Sequence, residues 1–240
     1  GQGRFWPEPL IQINPSYRHG ASLETLIDGG AIDPRTAEIF RAAGAPLSLY
    51  KHQEQAIALA AQGESFVVTT GTGSGKSLCF FIPIVNAVLA EKRMRTAPRT
   101  RAIIIYPMNA LANSQLEELD KFIKNVPGER PVTFARYTGQ EDTEERRRIS
   151  ENPPDILLTN YVMAELLLVR PDDQSLLPTA GPDGLRYFVF DELHTYRGAF
   201  GSHLANILRR LRRVCQHYGS NPTFICSSAT IANPKELAEK

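Results

Sequence analysis

A glycine-rich turn at residues 70–77 constrains the fold of this 240-residue chain more than any other feature. The β-branched run Val67-Val68-Thr69 enters the turn, and Lys76-Ser77 then opens an apolar helical pattern. Glycines permit positive φ angles and let main-chain N–H groups approach an anion closely. The start of the following helix adds the positive end of its dipole. The sequence therefore predicts a strand, a phosphate-binding loop and a helix, in that order.

The residue types around this loop indicate nucleotide chemistry. Lys76 can reach the β- and γ-phosphates as a point charge, and the Ser77 hydroxyl can ligate Mg²⁺. The general pattern has glycine five residues before Gly75, where this chain has Thr70. The alternative is a chance glycine-rich linker, which the flanking strand and helix disfavour. We expect the phosphates to be held by Thr70, Gly71, Thr72, Gly73, Ser74, Gly75, Lys76 and Ser77.

Apolar β-rich runs alternate with helical patterns from Leu49 onward. The predicted strands are Ser65–Thr70, Ala102–Tyr106, Val132–Tyr137, Asp155–Thr159, Tyr187–Phe190 and Thr223–Cys226. This alternation predicts an α/β fold, with a mostly parallel sheet and helices on both of its faces. Right-handed crossovers would place the phosphate loop at the carboxyl edge of that sheet. Residues 1–48 are irregular and predict an extension on the main domain of residues 49–240, with one short helix that Asp33 caps.

Composition sets broad limits on the class of protein. The chain has no apolar stretch long enough to span a bilayer and no signal-peptide pattern, so we expect no membrane association. Its three cysteines lack metal-ligand spacing and predict buried free thiols in a reducing cytoplasm. The formal net charge of +1 does not by itself indicate a nucleic-acid partner.

A second motif, Asp191-Glu192-Leu193-His194, follows an apolar strand. An acid at the end of such a strand can hold Mg²⁺ beside a phosphate loop, which predicts Asp191 as a second metal-binding residue. The adjacent Glu192 can orient and deprotonate an attacking water. Two carboxylates after a strand also occur in ordinary surface turns, and the phosphate loop upstream favours the metal-binding interpretation.

These motifs, followed by Ser228-Ala229-Thr230, resemble in order and spacing the first RecA-like domain of superfamily 2 DEAD/DEAH-box helicases. The loop Thr-Gly-Thr-Gly-Ser-Gly-Lys-Ser has the helicase form, and residues 49–240 carry the resemblance. It implies ATP and Mg²⁺ as cofactors, with Gln53 reading adenine and His194 linking nucleotide state to Ser228, Ala229 and Thr230. It also implies nucleic-acid contacts from Asn109, Thr138, Gly139, Gln140, Thr159 and Asn160.

Each of these roles has a structural alternative. Gln53 can be a helix-surface glutamine, His194 can cap a turn, and Ser228 and Thr230 can satisfy backbone groups. The arginine clusters at residues 146–148 and 209–213, and the basic connection at residues 92–101, can be solvated and partly paired surface or can contact phosphate.

The phrases at residues 191–198 and 228–234 are most similar to a branch of large helicases used in bacterial DNA repair and phage defence. The resemblance implies DNA as a partner, a second RecA-like domain of the same protein, and possible partner subunits. These 240 residues do not contain the second domain, whose arginine completes the site, so we expect weak nucleotide binding and little hydrolysis from this domain alone. A nucleotide-switched assembly platform, an RNA-directed remodeller and, more distantly, a small-molecule kinase remain alternatives.

Overall fold

The computed structural model describes residues 17–229, apart from 72, 95–96, 129, 178–183 and 197. The strands are β1 His19–Ser22, β2 Arg41–Ala42, β3 Ala45–Pro46, β4 Ser48–Tyr50, β5 Phe66–Thr69, β6 Ala102–Tyr106, β7 Phe134–Tyr137, β8 Ile156–Asn160, β9 Tyr187–Phe190 and β10 Thr223–Ser228. The α-helices are α1 Leu23–Asp28, α2 Pro34–Ile39, α3 Lys51–Ala61, α4 Leu78–Lys92, α5 Asn109–Ile123, α6 Thr143–Glu151, α7 Tyr161–Leu167 and α8 Gly198–His217. Short 3₁₀ turns cover Pro171–Leu176 and Leu193–Thr195.

Six strands form one parallel sheet in the order β5-β10-β9-β6-β8-β7. The prediction of a parallel sheet is therefore confirmed, and all six predicted strands belong to it. Because the strands are parallel, their carboxyl ends meet at one edge of the sheet. The loops that follow them lie along that edge.

The sheet separates two hydrophobic cores. Successive side chains of a strand point to opposite faces. On β6, Ile104 packs into the core beneath α1–α5, whereas Ile103 and Ile105 pack into the core that α7 and α8 cover. All three isoleucines are fully buried. An apolar run without alternation is what a strand with both faces covered requires.

Residues 17–48 contribute to the first core. The structure has two short helices here rather than the single predicted one, and the Asp33 side chain caps α2 by accepting the Arg35 N–H at 3.0 Å. β1 pairs with β4 in antiparallel fashion, and Leu23, Ile39 and Phe40 are buried in the core shared with α4. The described part of the predicted extension is thus packed into the fold, while the domain boundary at residue 48 stays a prediction.

Buried ion pairs fix the amino ends of β6 and β8. Arg101 and Asp155 are each 1% exposed, and the Arg101 Nη1 atom lies 2.5 Å from Asp155 Oδ1. Arg101 Nε also contacts Glu91 Oε1 at 2.8 Å, and Lys92 Nζ contacts Asp155 Oδ2 at 2.6 Å. Lys92 and Arg101, which belong to the basic connection at residues 92–101, therefore form ion pairs within the fold. Within the described residues, no helix has the length and apolar character needed to cross a membrane.

Candidate functional site

The predicted nucleotide motifs lie side by side at the carboxyl edge of the sheet. The phosphate loop follows β5, Asp191 follows β9, and Ser228 ends β10, the strand between them. Two strand spacings separate β5 from β9 by about 10 Å. Burial raises the pKa of the Asp191 carboxyl, and the Lys76 charge acts on the same carboxyl and partly opposes that rise. The loop and the acidic pair therefore border one crevice.

Glycine is required at two positions of the loop, for different reasons. Gly73 and Gly75 have φ angles of +77° and +67°, which side chains other than glycine rarely adopt. A Cβ at Gly73 would meet nothing within 4 Å, whereas a Cβ at Gly75 would lie 2.6 Å from Gln53 Nε2. Gly75 thus also permits a close approach by α3. The predicted contact residue Thr72 lies outside the described residues.

Lys76 is held by its own loop. Its Nζ atom donates to the carbonyl oxygens of Thr70 and Gly71, at 3.2 and 3.4 Å. The Thr70 and Ser74 hydroxyls share a hydrogen bond, and the Thr70 N–H donates to the Ser228 carbonyl at 3.4 Å. The loop is thereby connected to the end of β10.

Gln53 is hydrogen-bonded to the phosphate loop. The side chain is 2% exposed, and its Nε2 atom donates to the carbonyls of Gly75 and Ser74, at 3.0 and 3.4 Å. Its Oε1 atom accepts the Tyr50 N–H at 2.8 Å. Adenine reading by Gln53 stays a prediction, because both ends of the amide are used within the protein. The sequence pattern did not reveal this supporting role.

His52 and Tyr17 lie near the phosphate loop, and the sequence did not predict them as site residues. His52 stacks on Tyr50 with ring centroids 5.8 Å apart, and Tyr17 lies 5.6 Å from His52. His52 Nε2 is also 3.1 Å from the Ser74 carbonyl oxygen. Burial lowers the pKa of His52, and the Lys76 charge acts in the same direction against that hydrogen bond. Its position next to Gln53 was the only sequence signal for His52.

Asp191 is buried, Glu192 is partly exposed, and the backbone at Glu192 is strained. Asp191 is 8% exposed; burial raises its pKa, the Glu192 charge adds to this, and the Ser227 hydrogen bond opposes it. Glu192 adopts the left-handed conformation, with φ 53° and ψ 47°, which costs a residue with a side chain about 1–2 kcal/mol. The Glu192 N–H donates to Asp191 Oδ1 at 3.0 Å. Such strain is concentrated at functional sites in proteins.

His194 joins the acidic pair to the end of β10. Its Nδ1 atom lies 3.1 Å from Glu192 Oε2, 3.3 Å from the Ala229 nitrogen and 3.4 Å from Ser228 Oγ. One ring nitrogen cannot donate to the Glu192 carboxylate and accept the Ala229 N–H at the same time. Two exclusive hydrogen-bond arrangements are therefore available at this junction. The predicted coupling residue Thr230 lies outside the described residues.

The residues of the crevice fit a magnesium ion that is also held by phosphate. No group of three or more His, Cys, Asp or Glu side chains in the described ranges can hold a metal ion. Mg²⁺ needs no such group, since it keeps several waters and takes one or two protein ligands beside a nucleotide. A cation next to Asp191 would offset the burial that raises the pKa of this carboxyl. Ser77 and Asp191 stay the predicted protein ligands.

The predicted strand-contact residues form a second row along the same edge. Asn160 Nδ2 donates to Asn109 Oδ1 at 2.8 Å and to the Thr138 carbonyl at 3.0 Å. Its Oδ1 atom accepts the Met163 N–H and so caps α7. The ends of β6, β7 and β8 are thereby held together. Gly139 and Gln140 are exposed at this edge.

Two predicted contact residues face inward instead. Thr159 is fully buried, and its hydroxyl donates to the Tyr137 carbonyl at 2.6 Å. Thr138 is 5% exposed, and its N–H and hydroxyl both donate to the Glu141 carboxylate, at 2.9 and 3.1 Å. Their hydroxyls therefore shape the edge rather than face a bound strand. Glu141, which also accepts the Gly139 N–H at 2.9 Å, was missed because no sequence pattern marks a buried loop carboxylate.

In the arginine clusters at residues 146–148 and 209–213, some side chains form ion pairs and others are exposed. Arg147 and Arg148 pair with Glu144 and Glu145 on their own helix, as the local charge pattern predicted. Arg146 Nη2 instead donates to the Gly139 carbonyl at 3.1 Å, beside the row of strand-contact candidates. The arginines of α8 lie on the side of the helix away from its buried residues.

Comparisons with known proteins agree with this geometry. The sequence profile of DEAD/DEAH box helicases matches residues 50–237. The ATP-dependent helicase YprA of Bacillus subtilis (strain 168) is 40% identical over 192 aligned residues, which cover 80% of this chain and 24% of YprA. The ATP-dependent helicase hrq1 of Schizosaccharomyces pombe (strain 972 / ATCC 24843) is 32% identical over 197 aligned residues, covering 80% of this chain and 17% of hrq1.

A solved structure confirms the RecA-like helicase fold. The DUF1998 helicase MrfA, bound to DNA and AMPPNP, superposes with a TM-score of 0.78 at 36% identity, covering 94% of this chain and 29% of MrfA. The chain spans less than a third of the length of each of these relatives. The profile match over most of the sequence, on a fold that assembles the matching motifs at one edge, shows that the chain belongs to the DEAD/DEAH box helicase family.

Proposed function

We propose that this chain is the first RecA-like motor domain of an ATP-dependent DNA helicase or translocase. The observation that carries the proposal is the junction at His194. One ring nitrogen lies within 3.4 Å of both the acidic pair and the end of β10, which itself borders the phosphate loop. A change at the nucleotide can therefore reach Ser228 and Ala229 at the end of β10.

The protein's part in ATP hydrolysis follows from the residues around the crevice. The main-chain N–H groups of the loop and the Lys76 ammonium bind the phosphates. Ser77 and Asp191 would hold Mg²⁺, which would neutralise charge on the phosphate oxygens. Glu192 orients the attacking water and accepts its proton. The left-handed backbone of Glu192 aims its carboxylate beside His194 rather than away from the crevice.

The link from nucleotide to strand uses the two exclusive arrangements of His194. When the Glu192 carboxylate turns towards the attacking water, it releases the imidazole. The imidazole then exchanges its proton with solvent and takes the Nε2–H tautomer, in which Nδ1 accepts the Ala229 N–H, 3.3 Å away. Hydrolysis reverses the exchange. Each cycle thereby switches the hydrogen bond at Ala229 on and off, and this exchange is the two-state element that coupling needs.

DNA is the proposed strand. MrfA, at 36% identity, is described as bound to DNA. The exposed Gly139 and Gln140, with the partly exposed Asn109 and Asn160, present amides and main-chain groups suited to a phosphate backbone. Contacts of this kind carry no sequence information directly, which suits a motor that moves along any sequence.

The whole protein is proposed to carry a second RecA-like domain. An arginine supplied to the phosphoryl group can raise turnover by about 10³–10⁵. This domain alone should therefore bind nucleotide weakly and hydrolyse little. The resemblance of residues 191–198 and 228–234 further supports a role in bacterial DNA repair or anti-phage defence, in the cytoplasm and with partner subunits where the system has them.

The test compares ATP turnover by the full-length protein without nucleic acid, with single-stranded DNA, and with RNA of equal length. We expect DNA-stimulated turnover that Lys76→Ala abolishes. The matched control is Lys121→Ala, which removes an exposed lysine from α5. Equal stimulation by RNA would favour an RNA remodeller. Nucleotide binding without any strand-dependent turnover would favour an assembly platform and overturn the motor proposal.

A further inference from the structure

The hydroxyl of Ser77 has a partner that the nucleotide motifs do not include. Ser77 Oγ donates to the Oε1 atom of Glu118 on α5 at 3.1 Å, across 41 residues of sequence. In the described part of the chain, Glu118 forms no ion pair with a lysine or arginine. A partly buried carboxylate without a cation therefore faces the hydroxyl that is expected to bind the metal.

The side chain of Tyr106, at the end of β6, lacks a hydrogen-bond partner among the described residues. The Tyr106 hydroxyl is fully buried and has no hydrogen bond to any described residue. Burial raises the pKa of Tyr106 well above its ordinary value, and the charges of Asp191 and Glu118 raise it further. The phenol oxygen therefore lies within electrostatic reach of both carboxylates. Orphaned buried hydroxyls of this kind are commonly satisfied by an ordered water or by the shell of an ion.

The fold explains how Glu118 reaches the loop. Leu111 and Phe122 pack against the core shared with α4, and Glu118 lies on the same face of α5 at helical spacing. Ser77 immediately precedes α4. Because α5 packs on β6, β7 and β8 and shares a core with α4, the Glu118 carboxylate reaches the Ser77 hydroxyl. Glu117, the preceding residue, is exposed and points away.

We propose that Glu118 is a positioning residue for the magnesium site, holding the Ser77 hydroxyl so that its lone pairs face the metal. This inference rests on the proposed function. A hydroxyl can donate its proton to a carboxylate and give a lone pair to a cation at the same time. The Glu118 charge adds to the attraction for Mg²⁺ and, without metal, repels the nucleotide phosphates. Glu118 therefore favours nucleotide only when the metal is present.

The experiment measures the affinity of a fluorescent, non-hydrolysable ATP analogue in Mg²⁺ and in EDTA. We expect Glu118→Ala to lower the ratio of the two affinities by about tenfold, as removal of an outer-shell partner commonly does. Affinity in EDTA should stay equal or rise, and a higher Mg²⁺ concentration should restore binding. Glu118→Gln, which keeps an acceptor but no charge, should give an intermediate loss. Glu117→Gln is the matched control and should behave as wild type.

A double-mutant cycle separates positioning from a general structural role. In a Ser77→Ala background, Glu118→Ala should lower the Mg²⁺-dependent gain only by the smaller amount that comes from its charge. An unchanged gain in both Glu118→Ala and Glu118→Gln would overturn the inference while leaving the proposed function standing. Absence of any Mg²⁺-dependent binding in the wild-type protein would instead contradict the proposed function. Equal losses in Mg²⁺ and EDTA would show a purely structural role and refute the inference.

Discussion

Substitution of the two positive-φ glycines in the phosphate loop should have unequal costs. Gly73→Ala and Gly75→Ala both force a side chain into the left-handed region, at about 1–2 kcal/mol. Alanine also reduces the entropy of the unfolded chain, which offsets about 0.4–1 kcal/mol of this cost in each variant. Since a Cβ at Gly73 would meet nothing within 4 Å, Gly73→Ala should cost about 1 kcal/mol in all.

Gly75→Ala should cost more because of Gln53. The new Cβ would lie 2.6 Å from the Gln53 Nε2 atom, which must move and give up its bonds to Gly75 and Ser74. Gln53 is almost fully buried and is anchored at its other end by Tyr50. Two lost hydrogen bonds at about 0.5–1.5 kcal/mol each make the total about 3 kcal/mol. The difference between the two variants is then about 2 kcal/mol.

Thermal unfolding followed by circular dichroism measures this difference. For a chain of this size, about 2 kcal/mol corresponds to a gap of about 4–8 °C between the melting temperatures of the two variants. In a Gln53→Ala background, the excess cost of Gly75→Ala should vanish, which gives a coupling energy of about 2 kcal/mol. Equal melting temperatures for the two glycine variants, or an excess cost that persists without Gln53, would refute the reasoning.

Three further outcomes are expected. Asp191→Asn should raise the melting temperature of the nucleotide-free protein at neutral pH, because burial raises the pKa of Asp191 and makes its charged form costly. This gain in melting temperature should fade as the pH falls towards about 4, where the wild-type carboxyl becomes protonated. A gain that is independent of pH would contradict the reasoning. Arg101→Met should lower the free energy of unfolding in urea by about 3 kcal/mol, since it leaves the buried Asp155 short of a cation, while the exposed control Arg212→Met should change it by less than about 0.5 kcal/mol. His194→Ala should leave the affinity for an ATP analogue nearly unchanged but abolish stimulation of turnover by DNA, and retained stimulation would exclude the coupling role.

Local sequence signals predicted the elements of the fold well. β6 and β9 have the predicted bounds, because each apolar run starts after an arginine, and β6 ends before Pro107 and β9 before Asp191. Asp33 caps α2 as predicted, since an N-cap acts on residues two or three positions away. The second short helix, α1, was missed. Its stability comes largely from burial of Leu23 in the shared core, which no local pattern reveals.

The sequence by itself determined which chemical groups the predicted site contains. These are a glycine loop with its lysine and two adjacent acids after a strand, in that order along the chain. These features are encoded within a few residues, so reading them needs no knowledge of packing. Only the tertiary structure decided which groups face one another. It set Glu118 against Ser77, turned Thr159 inward and placed Gln53 under the loop. Each of these contacts joins residues that lie more than twenty positions apart, and such residues meet only when the strands pair and the helices pack on the sheet.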